Sequence, residues 1–413
     1  MTADVRSIKK IAIVTMGVKL GNETKGYDRF KYLANMLVDH GFEVDLITSS
    51  FQHWEKKQRN TADPCYADEQ FNVVFIDEPG YRKNVDLRRV KSHAIAAKNL
   101  TEHFKVHDDY DLIYSEIPPN DVALSCALFA EVKGIPYVCD VNDLWPEAMR
   151  MVLDVPVLSD ILFHPLARDA KAVYSRCSAV VGTSDEYAQR PLKDAREGIE
   201  HVTVYVGNEL ASFDAEVDEY AGSIEKPDGE FWVTYAGTIG TSYDIRTMVL
   251  AAEELKRRGR SEIKMMILGG GPLKDELEEL ARSLDCRVDF LGYLPHGEMA
   301  AYLSKSDILV NSFVKKAPQS IVTKIGDYLA AAKPMINTCV SPEFKAKVEH
   351  DAFGINIEPE DPSILADAIE ALEADPQLRS GMGVNARMIA ETQFDRPKSY
   401  LKIEELINRL LSN

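Results

Sequence analysis

The stretch Gln319-Ser-Ile-Val-Thr-Lys324-Ile-Gly-Asp327-Tyr-Leu-Ala-Ala-Ala-Lys-Pro334 closes a strand, opens a helix and presents an acid and an ammonium together. Just upstream, Asp307-Ile-Leu-Val-Asn-Ser312 is an apolar run of strand length, and Ile325, Tyr328 and Leu329 recur at helical spacing. A helix therefore begins at Ser320 to Lys324. The unpaired N–H groups and positive dipole end of a helix favour an anion at that spot, and Lys324 adds a full charge. Asp327, one turn further on, stands where it can accept hydrogen bonds from a ribose diol. Such a turn suits a nucleotide sugar.

Working outward, short apolar runs alternate with helix-period segments from end to end, the pattern of βαβ units and parallel sheets. The first half reads as one doubly wound sheet with strands over 11–16, 43–48, 73–77, 111–115, 136–141, 179–182 and 202–206. Between the first two, Phe30, Leu33, Ala34 and Leu37 mark a buried helical stripe, and Gly41 suits a left-handed cap. Residues 214–230 are acidic and rich in turn formers and read as an interdomain linker. Alternation then resumes with strands over 231–236, 264–268, 288–291, 308–311, 334–338 and 354–357. The expected architecture is α/β, with two facing Rossmann-like domains, parallel sheets and a deep interdomain cleft. Residues 1–212 form the first domain and 213–390 the second, followed by an amphipathic segment over 391–413.

The length of 413 residues fits two domains with sound cores. A formal charge of −18 disfavours a nucleic-acid binder, which needs a dominant basic surface. The six cysteines are scattered without zinc or disulfide spacing. Without an export signal or an apolar run long enough to span a membrane, the expected location is the cytoplasm or, peripherally, the inner face of the cell membrane.

Ligands of α/β domains bind beyond the carboxyl ends of strands, so the turns after strands carry the candidate residues. Tyr235-Ala-Gly-Thr-Ile-Gly240 offers Gly237 and Thr238 at a bend open to a phosphate, and Gly269-Gly-Gly-Pro272 leaves Gly270 and Gly271 bare for a base or phosphate. Pro272 suits a first helical position. Asp140-Val-Asn142-Asp143-Leu-Trp145-Pro146-Glu147 places an amide, carboxylates and an indole at a sheet mouth, where a sugar can be gripped; a core Trp145 and a helix-start Asp143 are the plain alternative. The long loop from Met16 to Arg29 contains Gly26, and Arg29 is placed to reach an anionic acceptor. Two basic segments, one from His53 to Arg59 and one from Arg82 to Lys91 with Arg89, suggest an anionic partner such as a lipid pyrophosphate or a membrane surface; an ordinary solvated face is the alternative.

These motifs resemble the retaining glycosyltransferases of family 4, of GT-B fold, in the branch that assembles capsule, exopolysaccharide or O-antigen. Gln319 and Asp327 occupy the two acid positions of the Glu-x7-Glu signature, and glutamine cannot carry charge there. Asp143-Leu-Trp-Pro146 resembles that branch's motif, with Asn142 where other members carry a histidine. Thr238 stands in a region where the family often has an Arg and Lys clamp. The resemblance implies transfer of a sugar from a nucleotide diphosphate, UDP favoured, to a glycan or lipid-linked acceptor, with no metal and no further cofactor. It implies Lys324, Asp143 and Asn142 as catalytic residues. Gly26, Gly237, Thr238, Gly270, Gly271, Gln319, Ser320, Ile321, Val322 and Asp327 would bind donor, and Arg29, His53 and Arg89 acceptor. Arg246 is a lesser helper, and the C-terminal helix crosses back to the first domain. A GT-B sugar-nucleotide epimerase, a two-lobed periplasmic-type solute-binding protein, which needs an export signal, and an inactive scaffold of the GT-B fold are the rival readings.

Overall fold

The computed structural model describes residues 8–84, 86–151, 155, 158–317 and 321–412. The chain divides into two compact units: unit 1 runs to Val204 and resumes at Tyr400, and unit 2 is Tyr205–Ser399.

Unit 1 contains β1 (Lys10–Val14), β2 (Glu43–Ser49), β3 (Phe51–Gln52), β4 (Lys57–Gln58), β5 (Asn72–Ile76), β6 (Leu112–Ile117), β7 (Tyr137–Val141), β8 (Ala179–Gly182) and β9 (Glu200–Thr203). Apart from the antiparallel β3–β4 hairpin they form one parallel sheet, ordered β5-β2-β1-β6-β7-β8-β9. β1 shows why its sequence is apolar at every position after Lys10. Ile11 and Ile13 pack with Phe30 and Leu33 of α1 (Arg29–Asp39), while Ala12 and Val14 pack on the other face with Ala96 and Leu100 of α2 (Leu87–Val106). The helix Leu401–Ser412 completes the first of these cores through Ile403, Leu406 and Ile407, with Tyr400 beside them.

Unit 2 contains β10 (Phe231–Ala236), β11 (Ile263–Leu268), β12 (Val288–Gly292), β13 (Ile308–Asn311), β14 (Met335–Asn337) and β15 (Gly354–Asn356), all parallel and ordered β12-β11-β10-β13-β14-β15. Along β10, Phe231, Val233 and Tyr235 enter one core and Trp232 and Ala236 the other. Strand order reverses between β1 and β6 in unit 1 and between β10 and β13 in unit 2. Beyond these reversals the crossovers leave to opposite faces and open a crevice at the strand ends.

The acidic stretch read as a linker is largely ordered structure. Leu210–Tyr220 is a helix whose Leu210 and Phe213 are buried in the unit 2 core, and Val217 and Tyr220 pack against it. That i, i+3, i+7, i+10 stripe outweighs the acid-rich composition, and the division between units falls at Val204/Tyr205.

Candidate functional site

In unit 2 the turns after β10 and β11 lie backbone against backbone. Ile239 N donates to Gly270 O at 2.9 Å, and Leu273 N donates to Ile239 O at 3.3 Å. A Cβ on Gly269 (φ +132°) would stand 1.9 Å from Gly237 O, and one on Gly271 would stand 2.2 Å from Ile239 O. Gly270 differs, because a Cβ there meets nothing within 4 Å. Of the three glycines, two serve the close approach of the turns, and the third leaves backbone open to a ligand. Thr238 is exposed beside them. Pro272 precedes the helix Lys274–Ser283 instead of opening it, since the turn runs on through Leu273.

Lys324 is the first residue of a seven-residue helix, Lys324–Ala330. The dipole of so short a helix is weak, so the attraction for an anion comes from the ammonium itself. Its stem keeps some exposure, yet Nζ is shut off from solvent and has no hydrogen-bond partner among the described residues. Nζ lies 4.2 Å from the ring centre of Tyr235, 4.8 Å from Tyr243, 5.3 Å from Phe313 and 5.6 Å from Tyr328. Tyr235 ends β10 and Phe313 follows β13, so this aromatic cage stands at the strand-order reversal of unit 2. The Tyr235 hydroxyl donates to Thr238 O at 2.8 Å, and Ala236 N donates to the Tyr328 hydroxyl at 2.7 Å. Those bonds fix the rings so that they surround the ammonium. Burial pulls the Lys324 pKa down to about 7.

Asp327 is held by two donors on one oxygen: Asn208 Nδ2 at 2.9 Å and His296 Nε2 at 3.3 Å, both to Oδ1. Oδ2 has no bonded partner among the described residues. His296 also engages Glu216 through Nδ1, and its hydrogen bonds to Asp327 and Glu216 raise its pKa to about 9. The imidazolium is therefore the neutral-pH form, and it balances two carboxylates. Gln319 and Ser320 lie outside the described residues. Ile321 and Val322 are half-buried against the unit 2 core just before Lys324. Arg246 is exposed, 3.9 Å from the Glu276 carboxylate.

In unit 1 the structure overturns the role expected for Arg29. The residue is 2 % exposed; its guanidinium donates to the Asp140 carboxylate at 2.8 Å, to the Tyr400 hydroxyl at 3.0 Å and to Val204 O at 3.3 Å. Asp140 itself is fully buried, so the pair closes the core and leaves no hand for an acceptor. Asn142 turns its amide back to Asp140 Oδ1 at 3.3 Å. Asp143 accepts from Leu144 N at 2.9 Å and from Trp145 Nε1 at 3.0 Å, and burial raises its pKa. Gly26 takes φ +131° with the Trp54 ring 3.1 Å from where a Cβ would sit, so the glycine is required by its own turn. Below that loop the Glu116 carboxylate accepts from Met16 N, and burial lifts its pKa to about 7.

His53 and Arg89 do meet, around rings the sequence did not single out as a group. The Arg89 guanidinium lies 4.7 Å from the Trp145 ring centre and 5.4 Å from Tyr81, and its Nε is buried without a partner among the described residues. Lys56 Nζ is 4.7 Å from Tyr81, and burial, with Arg89 nearby, lowers its pKa to about 8. His93 stacks on Trp145, and His53 Nδ1 meets the Tyr81 hydroxyl; burial takes both imidazoles down to about 3, so they are neutral. Asp143 joins this cluster through Trp145. The result is a neutral aromatic floor carrying two cations, a surface suited to a sugar ring bearing an anionic group.

Among the described residues, no group of three or more His, Cys, Asp or Glu side chains is arranged to hold a metal ion, and no helix is long and apolar enough to cross a membrane.

The family profile described as glycosyl transferases group 1 matches residues 230–375. The chain is 25 % identical over 279 residues to the alpha-D-kanosaminyltransferase of Streptomyces kanamyceticus, which covers 65 % of this chain and 69 % of that one. In structure it resembles Anabaena HepE in complex with UDP, with a TM-score of 0.70, 15 % identity and coverage of 97 % of this chain and 100 % of that chain. It also resembles sucrose-phosphate synthase of Thermosynechococcus elongatus, with a TM-score of 0.70, 18 % identity and coverage of 98 % and 99 %. The chain thus has the GT-B fold and is related in sequence to glycosyltransferases.

Proposed function

We propose that this chain is a retaining glycosyltransferase that moves a sugar from a nucleoside diphosphate, UDP favoured, to a lipid-linked glycan acceptor in bacterial surface-polysaccharide assembly. The observation that carries the reading is the Lys324 ammonium, buried without a hydrogen-bond partner among the described residues at the strand-order reversal of unit 2. Burying an ammonium costs several kcal/mol, and ring faces return only part of it. A diphosphate brought beside Lys324 supplies the missing charge, and the open backbone at Thr238 and Gly270 supplies N–H donors, the Gly237 N–H being engaged with Leu268 O at 2.9 Å. The free Oδ2 of Asp327 takes a ribose hydroxyl. In the transfer, the anomeric C–O bond to the diphosphate breaks with its electron pair going to the phosphate oxygen, where Lys324 stabilises the developing charge. The acceptor oxygen bonds to the anomeric carbon on the same face and gives its proton to the departing diphosphate. Arg89, Lys56 and the Trp145 platform, with Asp143 beside it, hold the acceptor.

Calorimetric titration with UDP, GDP and their common sugars tests the donor assignment. UDP-sugar binding is expected, and Asp327→Asn should weaken it about tenfold or more, the loss of a charge-assisted hydrogen bond worth ~1.5–3 kcal/mol. Equal affinity of the variant would remove Asp327 from the ribose. Release of an epimer from donor alone, without transfer, would replace transferase by epimerase.

A further inference from the structure

The α2 helix has a second apolar face that none of the described residues covers. Inward it buries Ser92, His93, Ala96, Ala97, Leu100 and Phe104. Outward, Leu87 is 83 % and Val90 63 % exposed, and Ala94 continues the same stripe at i, i+3, i+7. Arg82, Lys83, Arg88, Lys91 and Lys98 are exposed around it. Residues 82–98 hold six cations and a single acid, Asp86, in a chain whose net charge is −18. Asp86 is occupied at the start of the helix, where its carboxylate accepts from Arg88 N at 2.9 Å.

We infer that this face of α2 rests on an anionic lipid bilayer, with Leu87 and Val90 entering the headgroup boundary and the surrounding cations meeting lipid phosphates. Charge separates this occupant from the others. A second copy of so acidic a chain, or an acidic protein without apolar reach, fits either the cations or the leucine and valine, whereas an anionic bilayer offers both partners at one depth. Each surface cation contributes to attraction within a Debye length, and long basic side chains lay their stems along apolar surface while their charges stay wet. The position on the helix gives the contact its purpose. Arg89, one residue from Arg88 and Val90, turns inward over Trp145 and Tyr81, so α2 faces the bilayer on one side and the aromatic–cationic cluster on the other. An acceptor held in the membrane by its lipid, with its anionic headgroup projecting, passes directly from one face to the other. This assignment rests on the acceptor reading of that cluster.

The experiment is sedimentation of the full chain with vesicles, without donor or acceptor. Vesicles of phosphatidylcholine with about one third phosphatidylglycerol should bind the protein, and pure phosphatidylcholine should bind it far less. Raising salt from 0.1 to 0.5 M should cut binding severalfold. Leu87→Glu with Val90→Glu, and separately Arg88→Glu with Lys91→Glu, should each reduce binding at least tenfold while leaving the circular dichroism spectrum and UDP titration unchanged. No binding at low salt overturns the inference, as does binding that both double variants retain, or binding to a soluble polyanion but not to vesicles. Vesicle binding by a protein that transfers no sugar sinks the transferase reading and leaves the surface standing.

Discussion

Replacing Lys324 by Met should make the protein more stable while removing its turnover. Burial lowers the Lys324 pKa from 10.5 to about 7. A shift of that size corresponds to about 5 kcal/mol of penalty on the charged form, at ~1.4 kcal/mol per unit. That cost is already net of the attraction of the ring faces, and at pH 7, where half of the lysine is neutral, about 4 kcal/mol of it falls on the folded state. Methionine fills a similar volume, is apolar and sits well against aromatic rings. The sign of the pH dependence follows from which state holds the proton. Between pH 7 and 10.5 the unfolded chain keeps the lysine proton more firmly than the folded one, so wild-type stability rises with pH through that window and is flat below about 7. Urea unfolding at pH 7 should therefore find the variant more stable by about 4 kcal/mol, with the gap closing towards pH 10.5. Saturating UDP-sugar should raise the wild-type midpoint and narrow the gap at pH 7, because the bound diphosphate compensates the ammonium. A variant no more stable than wild type at pH 7, or a gap that does not change between pH 7 and pH 10, would refute the reasoning.

Two further outcomes separate structural from ligand roles. Gly269→Ala should lose about 2 kcal/mol or more by thermal unfolding, because its Cβ meets the Gly237 carbonyl at a positive φ; Gly270→Ala should fold normally and lose donor affinity in the UDP titration, and the reverse pattern would exchange their roles. Arg29→Leu should destabilise unit 1 by about 3–5 kcal/mol, by leaving Asp140 buried and unpaired, and a variant of normal stability with a raised acceptor KM would restore Arg29 to the acceptor site.

The sheets were legible because strands covered on both faces are apolar at consecutive positions. Phe231–Ala236 and Ile308–Asn311 begin and end where the sequence puts them. The β3–β4 hairpin escaped notice, since two-residue strands carry no period. Arg29 was misread for a related reason: nothing local says that a cation at a helix start faces Asp140, more than a hundred residues away. The Lys324 turn was visible as a motif, but not its cage. Tyr235, Tyr243 and Phe313 come from other strand ends and turns, and only the order of β10 and β13 brings them together. His296 at the start of its helix reads as an ordinary surface residue until Asp327 and Glu216 are seen on either side of it.

The packing of Ile403, Leu406 and Ile407 among Ile11, Phe30 and Leu33 sets an order of assembly. On the ribosome, unit 1 is translated first yet waits for a segment made after all of unit 2. Until residue 407 emerges, that face of its sheet lacks the C-terminal helix, and the buried Arg29 lacks the Tyr400 hydroxyl to which it donates. Unit 2, contiguous in sequence, is free to close first. Released chains truncated after Ser399 should therefore protect unit 2 from protease while unit 1 stays cleavable, a maturation that runs against the direction of synthesis.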